Sequence, residues 1–353
     1  MSLFAFVGSQ NRTDTTVDGT RGIHVFRRES GWQAVAVEAA IDNPSYLTLT
    51  PDAATLYAVS EVVPHLECTV SAYRVDRASG ALTYLNRQPT RGRTACHVAV
   101  LPGGRLGVAN YSYGDGGPDQ AVCFCPLLED GRIDAPDSSA RHRASTGRAM
   151  RDRSHAHCVV VIPGSQVILV ADLGLDCIIG YDMGGEEIVR LDLPVGHGPR
   201  HIVCHPDGRH LYVLNELNPC VSMLEWNGTS LLHLGDVAAL EVDEHGPLMA
   251  GAAIQLSADS RFLYTSTRGV DLISVFAVSA DGATLERVET IGCGGKWPRD
   301  FTLTPDDRQV LVANQQSDTI AIFDRDGETG RLTDTGERIA VVAPQCVKLV
   351  QLG

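Results

Sequence analysis

One short pattern recurs along the whole of this 353-residue chain: an apolar run closed by a small polar or acidic pair. Its copies are Leu56–Glu61 (LYAVSE), Leu106–Tyr111 (LGVANY), Ile168–Leu173 (ILVADL), Leu211–Glu216 (LYVLNE), Leu263–Arg268 (LYTSTR) and Val310–Gln315 (VLVANQ), with Phe4–Ser9 (FAFVGS) as a seventh. Consecutive starts lie 43 to 62 residues apart, near the roughly 40–50-residue period of repeats that each fold as one small sheet. A short apolar strand and a tight-turn signal precede each copy. The turns include Pro206-Asp207-Gly208-Arg209 and Pro305-Asp306-Asp307-Arg308, residue types that reverse the chain between strands. The preceding strands begin at Tyr46, His97, His157, His201, Ala253 and Asp300. A third apolar strand follows, as at Val70–Val75 and Val221–Trp226, then a more variable fourth, as at Leu82–Arg87.

A four-stranded sheet cannot bury both faces alone, so such sheets stack around a channel. Seven copies predict an all-β, seven-bladed β-propeller, with residues 1–353 forming a single domain. The N-terminal copy has no strand before it, and Gln345–Val350 (QCVKLV) has none after it. The C-terminal strand is therefore expected to join the N-terminal blade as its innermost strand and close the ring. A β-sandwich with helices, or two all-β domains, would leave the registered copies unexplained. No amphipathic segment of helical period stands out.

Charge narrows the partners. Lys and Arg number 29 against 43 Asp and Glu, a formal net charge of −14. That balance argues against nucleic acid, which needs basic faces, but a local Arg cluster can still hold a small anion. No apolar run approaches the roughly 20 residues of a membrane helix. Met1–Ser9 lacks the basic-then-apolar order of a signal peptide. The ten cysteines are scattered singly apart from Cys123-x-Cys125, with no zinc spacing, so reduced thiols in a cytoplasmic protein are expected. A monomer is expected, because propeller edges are short.

A repeat makes its exceptions visible. The position six residues before the turn proline holds Ser45, Cys96, His157, Arg200, Ala252 and Arg299, with Gln345 in the closing strand. The end of the second strand holds Ser9, Glu61, Tyr111, Leu173, Glu216, Arg268 and Gln315. Antiparallel pairing puts both sets on one face of the disc. That face gathers Arg200, Arg268, Arg299, His157, Glu61 and Glu216, with His155, His201 and Lys296 close in sequence. Charged side chains facing a narrow channel must be paired or liganded. They either lock neighbouring blades through Glu216, Asp300 or Asp172, or they form an anion site. Asn110, Asp172, Asn215 and Asn314 also fall at second-strand ends. They either hold Ca²⁺ or bond nearby backbone, and the arginines in the same ring favour the second. The long segment from Pro118 to Arg153 carries Arg132, Arg141, His142, Arg143, Arg148, Arg151 and Arg153. It is either a basic lid or a surface insertion.

At these residues the chain resembles the seven-bladed lactonase-propeller family, which includes one class of bacterial 6-phosphogluconolactonase and the fungal carboxy-muconate cyclases. The resemblance runs nearly end to end. Its carriers are Asn43-Pro44-Ser45-Tyr46-Leu47, His155-Ala156-His157, Ala171-Asp172-Leu173-Gly174 with Asp176, and Gly198-Pro199-Arg200-His201. They continue as Leu214-Asn215-Glu216, Arg268-Gly269 with Asp271, Lys296-Trp297-Pro298-Arg299-Asp300-Phe301, and Ala313-Asn314-Gln315 with Ser317-Asp318. The resemblance implies a site built on His157, Arg200, Arg268 and Glu216. Two stretches depart from the family. Thr267 and Val270 flank Arg268-Gly269 where Asn and His are common, and Asn110–Asp115 lengthens a usually shorter glycine-rich stretch.

The resemblance therefore implies hydrolysis of a small anionic sugar lactone, 6-phosphoglucono-1,5-lactone first. His157 or Glu216 would serve as general base, with Arg200 and Arg268 also catalytic. His155, His201, Arg299, Lys296, Glu61, Asn314 and Gln315 would contact substrate. No cofactor or metal is required. The alternatives are lactone-forming isomerisation of a carboxylated muconate at the same site, a Ca²⁺-dependent lactonase, and a non-catalytic binding scaffold.

Overall fold

The computed structural model describes residues 1–11, 18, 21–112, 116–145, 153–241, 246 and 248–353. Arg148 and Arg151 of the basic segment, and Tyr113, Gly114 and Asp115 of the lengthened stretch, lie outside the described residues. Among the described residues the chain forms seven four-stranded antiparallel sheets and no helix. Blade 1 combines both termini in the order Pro344–Leu352, Ser2–Ser9, Ile23–Arg28, Trp32–Glu38. The closing strand runs antiparallel to the N-terminal one, pairing Phe4 with Val350 and Phe6 with Lys348. The innermost strands of blades 2 to 7 are Tyr46–Leu49, Ala95–Leu101, Ala156–Val161, Pro199–Cys204, Ala250–Leu256 and Pro298–Leu303. Their second strands are Thr55–Ser60, Arg105–Asn110, Ile168–Asp172, His210–Asn215, Phe262–Arg268 and Gln309–Asn314.

The second strands are buried almost throughout because each lies between two neighbouring blades. Period-2 alternation sends successive side chains to opposite faces. Leu211 and Val213 pack towards blade 4, with Leu169 and Ile178. Tyr212 and Leu214 pack towards blade 6, with Leu263 and Phe276. The pattern repeats at each interface, including the seam, where Ala5 and Val7 meet Leu311, Ala313 and Ile320 of blade 7. Three blades add a tyrosine strap. Tyr57, Tyr212 and Tyr264 hydroxyls donate to the carbonyls of Gly131, Gly282 and Gly330 in the next blade, at 3.0, 2.7 and 2.8 Å.

The basic segment is not an independent lid where it is described. Ser138–Ala140 forms the outer strand of blade 3. Arg132 sits in a turn beside the start of Thr55–Ser60, at the end of the ring opposite the expected site, and pairs with Asp130. The His142 ring is buried, with Nδ1 2.6 Å from Asp172 Oδ2. All ten cysteines are free thiols, and nine are buried.

Candidate active site

The position six residues before the turn proline is a β-bulge in six blades. Register shifts there leave Cys96, His157, Arg200, Ala252, Arg299 and Gln345 without a cross-strand partner of their own. A bulge bends the strand and re-aims the extra side chain, which turns this position into the channel mouth. A left-handed residue precedes it by two positions in five blades: Asn43, Thr94, Gly198, Trp297 and Ala343, with φ of 41°, 53°, 63°, 63° and 46°. Non-glycine residues adopt this conformation only when their surroundings impose it. Carboxylates from the preceding blade supply the constraint. The N–H groups of Gly198, Trp297 and Ala343 donate to Asp176, Asp271 and Asp318 at 2.7, 2.8 and 2.8 Å.

The residue that follows the second strand then docks on the same loop. Glu61, Tyr111, Glu216 and Gln315 donate their N–H groups to the carbonyls of Asn43, Thr94, Gly198 and Trp297. In blade 1 this partner is Gln10, which donates to Ala343 O at 3.0 Å. Ser9 therefore does not occupy the ring position expected of it. Its backbone is still in the strand, and its hydroxyl bonds Gly22 O.

The mouth contains two ion clusters. Glu216 Oε2 lies 3.0 Å from Arg200 Nε and 2.9 Å from Arg268 Nη2. Arg200 Nη1 also donates to Ala252 O, and Arg268 Nη2 to Gly251 O at 3.1 Å. Arg299 Nη2 meets Glu61 Oε2 at 3.2 Å across the opening. Three guanidiniums against two carboxylates leave one positive charge. Burial pulls Arg268 down to about 10, with Glu216 opposing it, so Arg268 stays charged at neutral pH. The Arg268 guanidinium lies over the Trp297 ring, 5.6 Å from its centroid, an attraction between cation and ring quadrupole.

Among the described residues His157 stands beside these cations without an ion pair of its own. It is 5% exposed, and its Nδ1 has no hydrogen-bond partner among the described residues. Burial first, then Arg200, Arg299 and Arg268, hold its pKa well below the usual imidazole range. The ring is thus neutral at pH 7. Cys96 is a neutral thiol, because burial and Glu61 push it well above its usual value. Ser45 Oγ, Gln315 Oε1 and Gln345 Oε1 are likewise buried without partners among the described residues.

Not every expected residue reaches this mouth. His201 is buried beside the mouth instead of lining it. Its ring packs with Tyr46, His97 and His157 and, with Lys348, lines a separate cavity of ≈ 470 Å³. It stays linked to the mouth because Arg200 Nη1 donates to its Nε2 at 3.2 Å. Asn314 is fully buried and clamps Cys293 O at 3.0 Å. Asn110 bonds Thr90 O and Gln120 O, Asn215 bonds Cys220 and Ser222, and Asp172 accepts from Ser154, His155 and Leu175. The residues considered for Ca²⁺ are thus divided among separate local networks. Asp300 accepts from Val347 N–H and Lys348 instead of an arginine. Lys296 is exposed on its loop. His155 stacks on Tyr111, with Nδ1 2.6 Å from Tyr111 O. Tyr111 and Trp297 form walls that residue-type reasoning about charge passed over, although both stand in the motifs quoted above.

The family model for the seven-bladed β-propeller lactonases matches residues 5–349. The chain belongs to that family. It is 31% identical to the 6-phosphogluconolactonase of Bacillus subtilis, covering 95% of this chain and 96% of that one. It is 30% identical to the 6-phosphogluconolactonase of Formosa agariphila over 91% and 93%. Among solved structures, the periplasmic gluconolactonase of Pseudomonas aeruginosa superposes with a TM-score of 0.90 at 29% identity over the whole of both chains. In the described residues no helix is long and apolar enough to cross a membrane.

Proposed function

We propose that this lactonase-family chain hydrolyses a small anionic sugar lactone, with 6-phosphoglucono-1,5-lactone as the substrate of choice. The observation that carries this reading is the neutral His157, whose Nδ1 has no hydrogen-bond partner among the described residues, ringed by Arg200, Arg268 and Arg299. The named relatives favour this reading over muconate lactonisation or a binding scaffold.

His157 is the better general base of the two candidates. Glu216 Oε2 already faces two guanidiniums, so this carboxylate is engaged in positioning Arg200 and Arg268. The His157 imidazole carries no charge, and its Nδ1 has no partner among the described residues. It removes a proton from water as the oxygen attacks the lactone carbonyl. The tetrahedral oxyanion forms beside Arg200 and Arg268, whose positions are fixed by Glu216 and by backbone carbonyls before reaction. The ring C–O bond then breaks, and the imidazolium returns its proton to the departing oxygen. One water is consumed, and the product acid ionises to release a proton. Arg299 is the more exposed of the three arginines, at 17% of its side chain against 3% and 7%. It suits the substrate's remote anion, which a guanidinium can grip with two parallel bonds. None of these steps requires a metal.

The free cysteines support a cytoplasmic location, and the unbroken ring of interfaces supports one domain working as a monomer. Proton release in a pH-stat tests the function, comparing freshly made 6-phosphogluconolactone with unphosphorylated gluconolactone. The expected result is faster turnover of the phosphorylated lactone, with its KM raised about 10-fold or more in Arg299→Ala, since charge-assisted bonds contribute roughly 1.5–3 kcal/mol. Failure to turn over either lactone overturns the reading.

A further inference from the structure

The outer half of blade 5 carries a second cluster of ligand-type side chains. They come from three separate segments: His197 from the loop between blades 4 and 5, Cys220 from the start of Cys220–Trp226, and Asp236 from Leu231–Ala238. One ligand atom from each lies within 4.8 Å of the others. His197 Nε2 is 3.3 Å from Asp236 Oδ2. His233 Nε2 approaches the other carboxylate oxygen, Oδ1, at 2.9 Å.

We propose that His197, Cys220 and Asp236 bind one divalent transition-metal ion, zinc by ligand type, with His233 orienting the Asp236 carboxylate. Imidazole, thiolate and carboxylate are the ligands zinc prefers, at roughly 2.0–2.3 Å, whereas a hard cation such as Ca²⁺ takes oxygen. Ligands on such a tetrahedron stand about 3.3–3.8 Å apart. The His197–Asp236 edge already has that length, and the widest edge needs to close by about 1.5 Å at most. Binding forms a sulfur–metal bond and releases the Cys220 thiol proton to solvent.

Hydrogen bonds around the cluster match those that orient metal ligands. Asn215 Nδ2 donates to Cys220 Sγ at 3.2 Å and to Ser222 Oγ at 2.8 Å. Ser222 Oγ in turn donates to Asp236 Oδ1 at 2.6 Å. His197 is fixed from both sides, because Gly196 and Gly198 N–H groups donate to Asp176 at 2.9 and 2.7 Å. Its carbonyl accepts from Leu217 and Asn218 at 3.1 and 3.3 Å. The ion would therefore tie the loop before Arg200 to the strands that follow Glu216. Three protein ligands leave the fourth position of the tetrahedron to water, and none of the three belongs to the mouth.

Cobalt(II) reports such a site directly, because thiolate coordination produces a charge-transfer absorption that nitrogen and oxygen ligands do not. Titrating the tag-free, reduced chain with Co²⁺ should give that band, saturating at one equivalent and bleached by Zn²⁺. Cys220→Ser should abolish the band, and His233→Gln should weaken Co²⁺ affinity about 10-fold or more. If the folded wild-type chain shows no thiolate band, or if the band persists in Cys220→Ser, the proposal is overturned. Asp236→Asn guards against an unfolded serine variant. It should keep the wild-type unfolding midpoint without metal and lose at least about 10-fold in Co²⁺ affinity, and unchanged affinity overturns the site.

Discussion

The two ends of the ring meet solvent in different ways. At the turn end, the turn hydroxyls bond within two residues of themselves, and the tyrosine straps and ion pairs such as Arg325–Asp259 cross between blades. Thr50, Ser257 and Thr304 hydroxyls donate to Asp52, Asp259 and Asp306, each at 2.6 Å. These local bonds satisfy a turn and ask nothing of the next blade. At the mouth the partners are distant in sequence. Arg299 reaches Glu61, and Arg268 of blade 6 reaches Glu216 of blade 5. What repeats from blade to blade builds the ring, and what departs from the repeat builds the site. Substitutions at the mouth should therefore damage catalysis most, and those at the turn end should damage only stability.

The largest effect is expected from Arg200→Ala. Arg200 meets Glu216, Ala252 O and His201 at once, and removing a donor fixed at an oxyanion lowers rate by roughly 10²–10³-fold. Arg200→Lys should recover only a small part, because an ammonium lacks the planar fork. Denaturant unfolding of each variant separates lost catalysis from lost fold. A folded Arg200→Ala protein with wild-type kcat/KM would erase the distinction between the two ends.

His157→Gln comes next, with kcat reduced by about 10²-fold and KM nearly unchanged, as expected when a proton acceptor rather than a binding contact is removed. If KM rises while kcat holds, His157 binds substrate and the base lies elsewhere.

The same contrast explains what could be read from the sequence. Strand spacing, turn prolines and two unpartnered terminal strands led directly to the propeller and its closure. Counting six residues back from each proline located Arg200, Arg299 and His157, because the repeat carries register with it. The count could not reveal that these are bulges, nor that the next residue, His201, turns into another cavity. Reading the second-strand ends put Ser9 where Gln10 stands, since the N-terminal copy has no preceding strand and turn to fix its register. The tethers at Asp176, Asp271 and Asp318 had a visible signal, an aspartate three or four residues after each second strand, but their partners lie in the next blade. His197, Cys220 and Asp236 meet only through blade curvature, so no linear spacing exposes them.

Acid sharpens the comparison through the channel histidines. His97, His157 and His201 are all held well below the usual imidazole range, with burial as the main cause and neighbouring cations adding to it. Below pH 6.5 the unfolded chain binds protons that the native chain refuses, so stability falls as pH falls. The limiting slope is about 1.4 kcal/mol per pH unit for each histidine, until its own native pKa is reached. Urea unfolding at descending pH should show a shallower decline in His157→Gln than in wild type. The kcat/KM profile should stay flat through pH 6.5 and drop only below it. An acid limb centred at the ordinary imidazole value would mean that His157 is solvated in the working enzyme.

The smallest effect is expected at the turn end. Tyr212→Phe removes one hydroxyl whose bond to Gly282 O straps blade 5 to blade 6, while the ring keeps its place beside Leu263 and Phe276. The loss is one neutral hydrogen bond, about 1 kcal/mol of unfolding free energy, together with an unpaired Gly282 carbonyl close enough to the turn to recruit water. Tyr57→Phe breaks an equivalent strap and should lose a similar amount, whereas Tyr264→Phe also removes the acceptor of the buried Arg325 Nε–H and should lose more. Combining Tyr57→Phe with Tyr212→Phe should be additive, because the two straps share no partner, and kcat/KM should match wild type throughout. A strap variant that keeps its stability but loses turnover would show the turn end communicating with the mouth through the inner strands, and the division of labour between repeated and unrepeated residues would fail.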